Sequence, residues 1–193
     1  MGEKKAFLRL GGKLLISHVI DAAREFSTEI LIVTDEEKNL NFLLDLTSPH
    51  VRVVSDVEPG KGPLIAVYSG LQHTRSEYCA ILPCDSPFVK ARVMLHLEKR
   101  AQGMDGAVPL WPNGYIEPLH SIYKTSAARE AAEIAIREGN LRVSSMVERL
   151  NKVALVPVEE LRRLDPELLT FFNINDLTDL RRAEAILSSE RTI

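Results

Sequence analysis

The chain has 193 residues, of which 24 are basic and 27 are acidic, so its formal net charge is -3, and 45% of the residues are hydrophobic. This length and composition are typical of one globular domain with a large core, which excludes disorder as the main feature. No apolar run approaches the roughly 20 residues that span a bilayer, and the N-terminus lacks the pattern of a signal peptide, so the sequence predicts a cytoplasmic protein without membrane contact. Two cysteines without zinc spacing and the lack of a basic block argue against a structural zinc, a disulfide framework and a nucleic-acid partner.

The first half of the chain alternates short apolar runs with longer segments of helical period. This pattern is typical of successive βα units in an α/β sheet. Pro63 opens one of the helices, at a position where its missing N–H costs no hydrogen bond. In chain order, the predicted elements are a helix over 14–26, strands over 29–34 and 51–54, a helix over 64–74, a strand over 77–82 and a helix over 89–102.

The second half contains the strongest turn signal, Pro112-Asn113-Gly114, because Asn-Gly readily adopts the positive φ of a tight hairpin. Asp176 is a predicted N-cap of the last helix. The predicted elements are strands over 105–110 and 116–123, helices over 126–138 and 143–150, a strand over 152–158 and a helix from 176 to about 187. No internal repeat or linker divides the chain, so residues 1–193 are predicted to form one domain.

Polar residues that directly follow strands are the first candidates for a site, because ligands of open parallel sheets bind beyond the carboxyl ends of the strands. The segments that meet this criterion are Thr34-Asp35, 55–63, 83–87 and 172–175. The second, S-D-V-E-P-G-K-G-P, has two glycines that let the backbone approach a phosphate or ribose closely. A plain turn capped by Asp56 is the alternative interpretation, and the frame of Lys61 excludes a Walker loop.

The segment L-P-C-D-S-P-F over 82–88 ends an apolar strand in a carboxylate, Asp85, between two prolines that stiffen the loop. Mg²⁺ takes one or two such oxygens and completes its shell with water and substrate phosphates, so Asp85 is a candidate magnesium ligand. An aspartate that caps the following helix is the alternative. Cys84 has no histidine in an obvious partner position, and the sequence favours packing over nucleophilic chemistry for it.

Two amides, Asn173 and Asn175, occupy alternate positions of an extended segment, so they are predicted to face the same side and to bind substrate oxygens there. Turn formation and capping account for them equally well. His120 falls on the predicted return strand and is kept as a candidate site residue. His18 and His73 fall in predicted helices, where a satisfied or solvated imidazole is expected.

Five segments form a combination that covers nearly the whole chain. They are M-G-E-K-K-A-F-L-R-L-G-G-K (1–13), D-V-E-P-G-K-G-P-L-I-A-V-Y-S-G-L (56–71), L-P-C-D-S-P-F (82–88), I-E-P-L-H-S-I-Y (116–123) and F-N-I-N-D-L-T-D-L (172–180). In this order and at these separations, the chain resembles the MobA family, the molybdenum cofactor guanylyltransferases. The resemblance implies an α/β, three-layer Rossmann-like nucleotidyltransferase fold, with a mostly parallel sheet and a β-hairpin insertion.

The resemblance also implies a reaction, in which the phosphate of molybdopterin attacks the α-phosphorus of Mg²⁺-bound GTP and pyrophosphate leaves. Positioning and charge neutralisation carry most of such catalysis. By similarity to the family, Lys5 contacts the nucleotide phosphates and Asp85 binds Mg²⁺, and both are expected to be catalytic. The resemblance also assigns Asp56 and Gly62 to nucleotide binding. It assigns Asn173 and Asn175 to binding of the pterin substrate. The implied partners are GTP and molybdopterin, together with proteins of molybdenum-cofactor biosynthesis and recipient apoenzymes.

Two departures from the family pattern leave alternatives open. The family's first strand and glycine-rich loop, of the form L-A-G-G-x-S-x-R-M-G, have no counterpart before Met1, and a chain without them is expected to be nearly inactive. A start codon assigned too late is the favoured explanation, and a shortened chain or a degenerate relative are the others. Thr34 and Asp35 stand where the family often has an asparagine, so guanine selectivity is less secure than nucleotide binding. CMP transfer, nucleotide transfer to another phosphorylated small molecule, and a non-catalytic binding partner are the alternative functions.

Overall fold

Helices cover both faces of a mixed β-sheet in the computed structural model, which describes residues 7–34, 43, 46–58 and 60–190. The elements of the first half are β1 (Arg9–Leu10), β2 (Lys13–Leu14), α1 (Leu15–Arg24), β3 (Ile30–Thr34), β4 (Val51–Ser55), α2 (Pro63–His73), β5 (Tyr78–Ile81) and α3 (Ala91–Ala101). Those of the second half are β6 (Gly106–Leu110), β7 (Ser121–Lys124), α4 (Thr125–Arg137), α5 (Val143–Val147), β8 (Val153–Pro157), α6 (Val158–Leu161), a 3-10 helix (Leu169–Phe171) and α7 (Leu177–Glu190). Among all the residues that the structure describes, no helix has both the length and the hydrophobicity needed to cross a membrane.

The main sheet has the strand order β5-β7-β6-β8. β6 pairs with β8 in parallel, and β7 pairs antiparallel with both β5 and β6, so β7 alone runs against the other three strands of this sheet as described. β3 and β4 form a separate parallel pair, and β1 and β2 form a short antiparallel hairpin. Three of the four strands of the main sheet therefore run in the same direction, whereas two of its three described pairings are antiparallel because β7 is reversed.

Side chains of the main sheet alternate between two cores, as the two-residue period of a strand requires. On β6, Ala107 packs in a core with Val93 and Leu97 of α3, whereas its neighbour Val108 packs with Ala132 of α4 and Met146 of α5. Helices therefore lie on both faces of the sheet. This is the three-layer arrangement that the family resemblance implies.

The return strand of the predicted hairpin is shorter than expected. It was predicted to begin at Ile116, where only an isolated bridge forms, and it begins at Ser121. The backbone N–H of His120 bonds to the carbonyl of Glu117 at 3.1 Å, which closes a turn around Pro118, a residue that cannot donate to a strand ladder. The placement of His120 on a strand is therefore wrong, and its side chain lies buried just before β7.

Three helical segments can be compared with the predictions. Asp176 caps α7 as predicted, because its Oδ1 accepts the N–H groups of Thr178 at 2.7 Å and of Asp179 at 2.9 Å. The Asp179 N–H is the main cause of the lowered pKa of Asp176. α5 ends three residues earlier than predicted, at Val147, and α6 was not predicted, since four residues carry too little periodicity to be recognised.

Candidate active site

Asp85 lies in the loop between β5 and α3, at the end of the strand where the sequence places it. The side chain is half-buried, and the backbone carbonyl accepts a hydrogen bond of 2.9 Å from the N–H of Ile174. The N-cap position of α3 is Lys90, so Asp85 does not cap that helix and the capping alternative is wrong. The loop is instead tied by its backbone to the segment that carries Asn173.

Ser86 joins the same two segments through side chains. This residue is fully buried, and its hydroxyl donates a hydrogen bond to Oδ1 of Asn173. His120 Nε2 lies 3.0 Å from Ser86 Oγ. Because a serine hydroxyl has a single hydrogen, which here goes to Asn173, it must accept its second bond from the Nε2–H of His120. The three side chains form one directed chain, from His120 through Ser86 to Asn173.

The imidazole of His120 is held on its other sides by aromatic and acidic neighbours. Its side chain is only 1% exposed, and its Nδ1 lies 3.6 Å from Oε2 of Glu117 without a hydrogen-bond partner. The other oxygen of Glu117 accepts the indole N–H of Trp111 at 2.7 Å. The imidazole packs edge to face on Phe171, with 5.4 Å between ring centroids. Sequence reasoning missed Ser86, because contacts with partners 34 and 87 positions away leave no local pattern. It also missed Glu117, although its partners Trp111 and His120 are only six and three positions away.

Asp56 lies at the carboxyl end of the parallel pair, where its backbone N–H bonds to the carbonyl of Thr34 at 2.8 Å. The residue is 9% exposed, and its Oδ1 accepts the hydroxyl of Ser69 at 2.9 Å and the N–H of Glu58 at 3.2 Å. The bond to Glu58 is the turn-capping contact that the alternative interpretation predicts. The same carboxylate therefore fixes the loop after β4 and lies at a strand end.

The glycines of this loop adopt backbone angles that other residues rarely take. Gly60 has φ 79° and Gly62 has φ 114°, so both positions favour glycine. Gly62 is the N-cap of α2 and has no side chain to bond the first N–H groups of the helix. In the first turn of α2, Pro63 has no N–H and the N–H of Ile65 bonds to the carbonyl of Gly62 at 3.2 Å, so the N–H of Leu64 is the backbone donor that can point towards an anion.

A cavity of about 990 Å³ lies between β3 and β5. Consecutive residues of both strands line it, which places it at the strand edges rather than on one face of the sheet. Within the described part of the chain, β3 pairs only with β4, and β5 pairs only with β7. Pro63, the first residue of α2, and Asp85, in the loop after β5, also line the cavity, so the start of α2 and that loop border the same space.

Asp85 suits a magnesium ion that arrives with a nucleotide better than a resident metal. No group of three or more His, Cys, Asp or Glu side chains converges on one point among the described residues. A protein cage for Mg²⁺ is not required when substrate phosphates and water supply the other ligands, and one or two carboxylates then suffice. A single half-buried carboxylate beside a cavity fits that chemistry.

The remaining predicted site residues differ in their position and exposure. Lys5 and Asp35 lie outside the described residues. Asn175 is exposed, unlike the half-buried Asn173, and its backbone N–H bonds to Asp179. The two cysteines form no disulfide, and burial raises the pKa of the Cys79 thiol to about 11. Cys84 is exposed, so the expectation that it packs as a small hydrophobic side chain is wrong.

The described fold, with polar loops at the carboxyl ends of β4 and β5, is that of a Rossmann-like nucleotidyltransferase. Residues 1–153 match the family described as the MobA-like NTP transferase domain, and the chain belongs to this family. The family identified from the sequence is therefore confirmed.

Relatives and solved structures agree with this placement. The chain is 31% identical over 182 residues to a probable molybdenum cofactor guanylyltransferase of Methanosarcina acetivorans, a match that covers 92% of this chain and 80% of the relative. It is 29% identical to the molybdenum cofactor guanylyltransferase of Desulfosudis oleivorans, covering 98% and 90% of the two chains. The crystal structure of molybdopterin-guanine dinucleotide biosynthesis protein A from Archaeoglobus fulgidus matches with a TM-score of 0.82 and 35% identity, over 97% and 92% of the chains. A 2-C-methyl-D-erythritol 4-phosphate cytidylyltransferase from Thermus thermophilus, at TM-score 0.71 and 22% identity over 95% and 94%, shares the fold.

Proposed function

We propose that this protein transfers GMP from GTP to the phosphate of molybdopterin, which forms the guanine dinucleotide cofactor and releases pyrophosphate. The proposal is carried by its relatives, since proteins named molybdenum cofactor guanylyltransferase match 92% and 98% of the chain. The position of Asp85 beside the cavity supports it. We place the reaction in the cytoplasm, with molybdenum-cofactor biosynthesis proteins and recipient apoenzymes as partners.

In this reaction, a phosphate oxygen of molybdopterin bonds to the α-phosphorus of GTP, and the bond from that phosphorus to the bridging oxygen of the β-phosphate breaks. Bound Mg²⁺ supplies charge neutralisation for the departing pyrophosphate. We assign the metal to Asp85 and the phosphates to Lys5 and to the first turn of α2 after Gly62. The remaining assignments are Asp56 for the nucleotide and Asn173 and Asn175 for the pterin substrate.

We propose further that an extended segment of about five residues occupies the cavity between β3 and β5 in the active enzyme. A strand of that length, with about 3.3 Å per residue, about 4.8 Å between strands and about 10 Å of sheet thickness, fills roughly 800 Å³. The cavity of about 990 Å³ is of this size. Two strand edges without a described partner also favour an added strand, because unpaired edges are ready templates for pairing. The family's first strand and its L-A-G-G-x-S-x-R loop are the proposed occupant.

The substrate assignment is tested by pyrophosphate release. Full-length protein is incubated with Mo-molybdopterin, Mg²⁺ and either GTP, CTP or ATP. Release with GTP is expected, and release with CTP alone would assign CMP transfer instead. If cofactor and GTP bind but no nucleotide gives release, and the DNA upstream of Met1 encodes no in-frame L-A-G-G-x-S-x-R, the non-catalytic binding partner is the better function.

The added strand is tested by hydrogen exchange. A synthetic peptide that carries the family's first strand and loop is added to the protein, and amide exchange in β3 and β5 is followed. Binding of the peptide should slow exchange in both strands, since their edge amides gain partners. Exchange that stays unchanged at saturating peptide would count against the proposal.

A further inference from the structure

The hydrogen-bonded chain from His120 to Asn173 ends on the side chain that we assign to the pterin substrate. Ser86 donates to Oδ1 of Asn173 and so turns that end of the amide towards itself, which directs the amide nitrogen Nδ2 to the other side, where it can contact a ligand. Among the described residues, the buried side-chain atoms without a partner are His96 Nε2 and His120 Nδ1, so Nδ2 of Asn173 is not trapped in the core. The two ends of an amide have nearly the same shape, and only a hydrogen bond to one end decides which end meets the substrate.

We propose that His120 is a positioning residue: through Ser86 it fixes the amide of Asn173 so that its NH₂ group, and not its oxygen, faces the substrate. This inference rests on the proposed function, in which Asn173 binds the pterin substrate. An NH₂ donor suits an acceptor such as a phosphate or a pterin carbonyl oxygen.

Packing alone does not explain an imidazole at position 120. The ring is buried against Phe171, and its Nδ1, which lies 3.6 Å from Oε2 of Glu117, has no hydrogen-bond partner; this costs free energy that an apolar ring would avoid. A phenylalanine would keep the edge-to-face contact, which does not depend on the ring nitrogens. The specific contribution of the imidazole is its Nε2–H, which occupies an acceptor site of Ser86 and directs the serine hydrogen towards Asn173.

Matched variants separate the donor from the ring. His120→Phe keeps a ring and loses the donor, whereas His120→Gln keeps an N–H donor with similar reach. Ser86→Ala removes the middle of the chain, and Asn173→Asp keeps an acceptor for Ser86 but has no NH₂. His96→Phe, at a half-buried histidine of α3 beside Glu160, is the control and should behave as the wild type.

The first readout is steady-state kinetics with GTP and Mo-molybdopterin. The KM for Mo-molybdopterin should rise about tenfold in His120→Phe, Ser86→Ala and Asn173→Asp, the equivalent of one hydrogen bond. The KM for GTP should not change, and His120→Gln should restore the wild-type value. Any of three results would overturn the proposal. These are equal effects of His120→Phe and His120→Gln, equal rises in the KM for Mo-molybdopterin and the KM for GTP, or a wild-type KM for Mo-molybdopterin in Asn173→Asp. If His120→Phe does not fold, the KM values of Ser86→Ala test the proposal in its place.

The second readout does not depend on turnover. In protein labelled with ¹⁵N-asparagine, the side-chain NH₂ resonances of Asn173 are identified by their loss in Asn173→Asp. They should shift in Ser86→Ala and His120→Phe and stay in place in His120→Gln and His96→Phe. Absence of pyrophosphate release from the wild type would refute the proposed function alone, whereas unmoved Asn173 resonances in Ser86→Ala would refute the positioning role.

Discussion

Ser69→Ala tests whether one buried hydroxyl holds the loop after β4. Ser69 lies on α2 with no exposed surface, and its Oγ is 2.9 Å from Oδ1 of Asp56 and 2.8 Å from the carbonyl of Ile65. It also accepts the N–H of Val57 at 3.0 Å. The single hydroxyl hydrogen goes preferentially to the carboxylate, which is the stronger acceptor. Alanine removes this bond and leaves the Val57 N–H without its acceptor.

The cost follows from these contacts. A hydrogen bond to a charged group contributes about 1.5–3 kcal/mol, and a neutral one contributes about 0.5–1.5 kcal/mol. Since the Val57 N–H is only partly buried, water can replace part of the second bond. We therefore expect Ser69→Ala to lower the free energy of unfolding by about 3 kcal/mol, a fall in Tm of roughly 6–12 °C for a chain of this size.

Urea unfolding followed by circular dichroism, with calorimetry for Tm, measures the change. Ser189→Ala is the matched control, because its hydroxyl also bonds a helical carbonyl, Ile186 O at 2.7 Å, but lies on the exposed surface of α7. Its effect should stay within about 0.5 kcal/mol, as for most surface substitutions. An equally small loss in Ser69→Ala would refute the view that Asp56 and its loop depend on this hydroxyl.

Four more outcomes are expected. Asp85→Asn should lower turnover roughly 10²-fold or more while leaving the fold intact, since a charge stabiliser is lost, and full activity at saturating Mg²⁺ would refute the metal role. Gly106→Ala should destabilise the protein by about 1–3 kcal/mol in urea unfolding, because the added Cβ would lie 2.8 Å from Cδ1 of Tyr123; an unchanged midpoint would show that the ring moves aside. Burial raises the pKa of Cys79 from its ordinary value near 9 to about 11, so its contribution to stability is complete below pH 9 and is lost as the pH rises through 11. In Cys79→Ala, the free energy of unfolding measured as a function of pH should not show that loss. A thiol reagent at pH 8 should modify the exposed Cys84 before Cys79, and equal rates of modification would contradict the burial of Cys79.

Local patterns in the sequence were sufficient to predict most elements. The helix over 14–26 and the strand over 29–34 are observed as Leu15–Arg24 and Ile30–Thr34, since apolar period and length report directly on the face that each element buries. The position of Asp85 at a strand end was also predicted, because the apolar run before it fixes where the strand stops. The start of the return strand was not predicted correctly, because the pattern around Pro118 does not reveal that the backbone turns before β7.

The sequence by itself determined the α/β class, the family and the loops in which a site can lie, because periodicity and motif order are properties of neighbouring residues. Only the tertiary structure decided that Ser86, His120 and Asn173 form one chain of hydrogen bonds, and that the carboxylate of Asp56 is engaged by Ser69. Those partners are far apart along the chain, and no local pattern encodes their meeting. They come together because the strands and helices that flank their loops bury their apolar faces against common cores, and the polar side chains must then find partners in the space that remains.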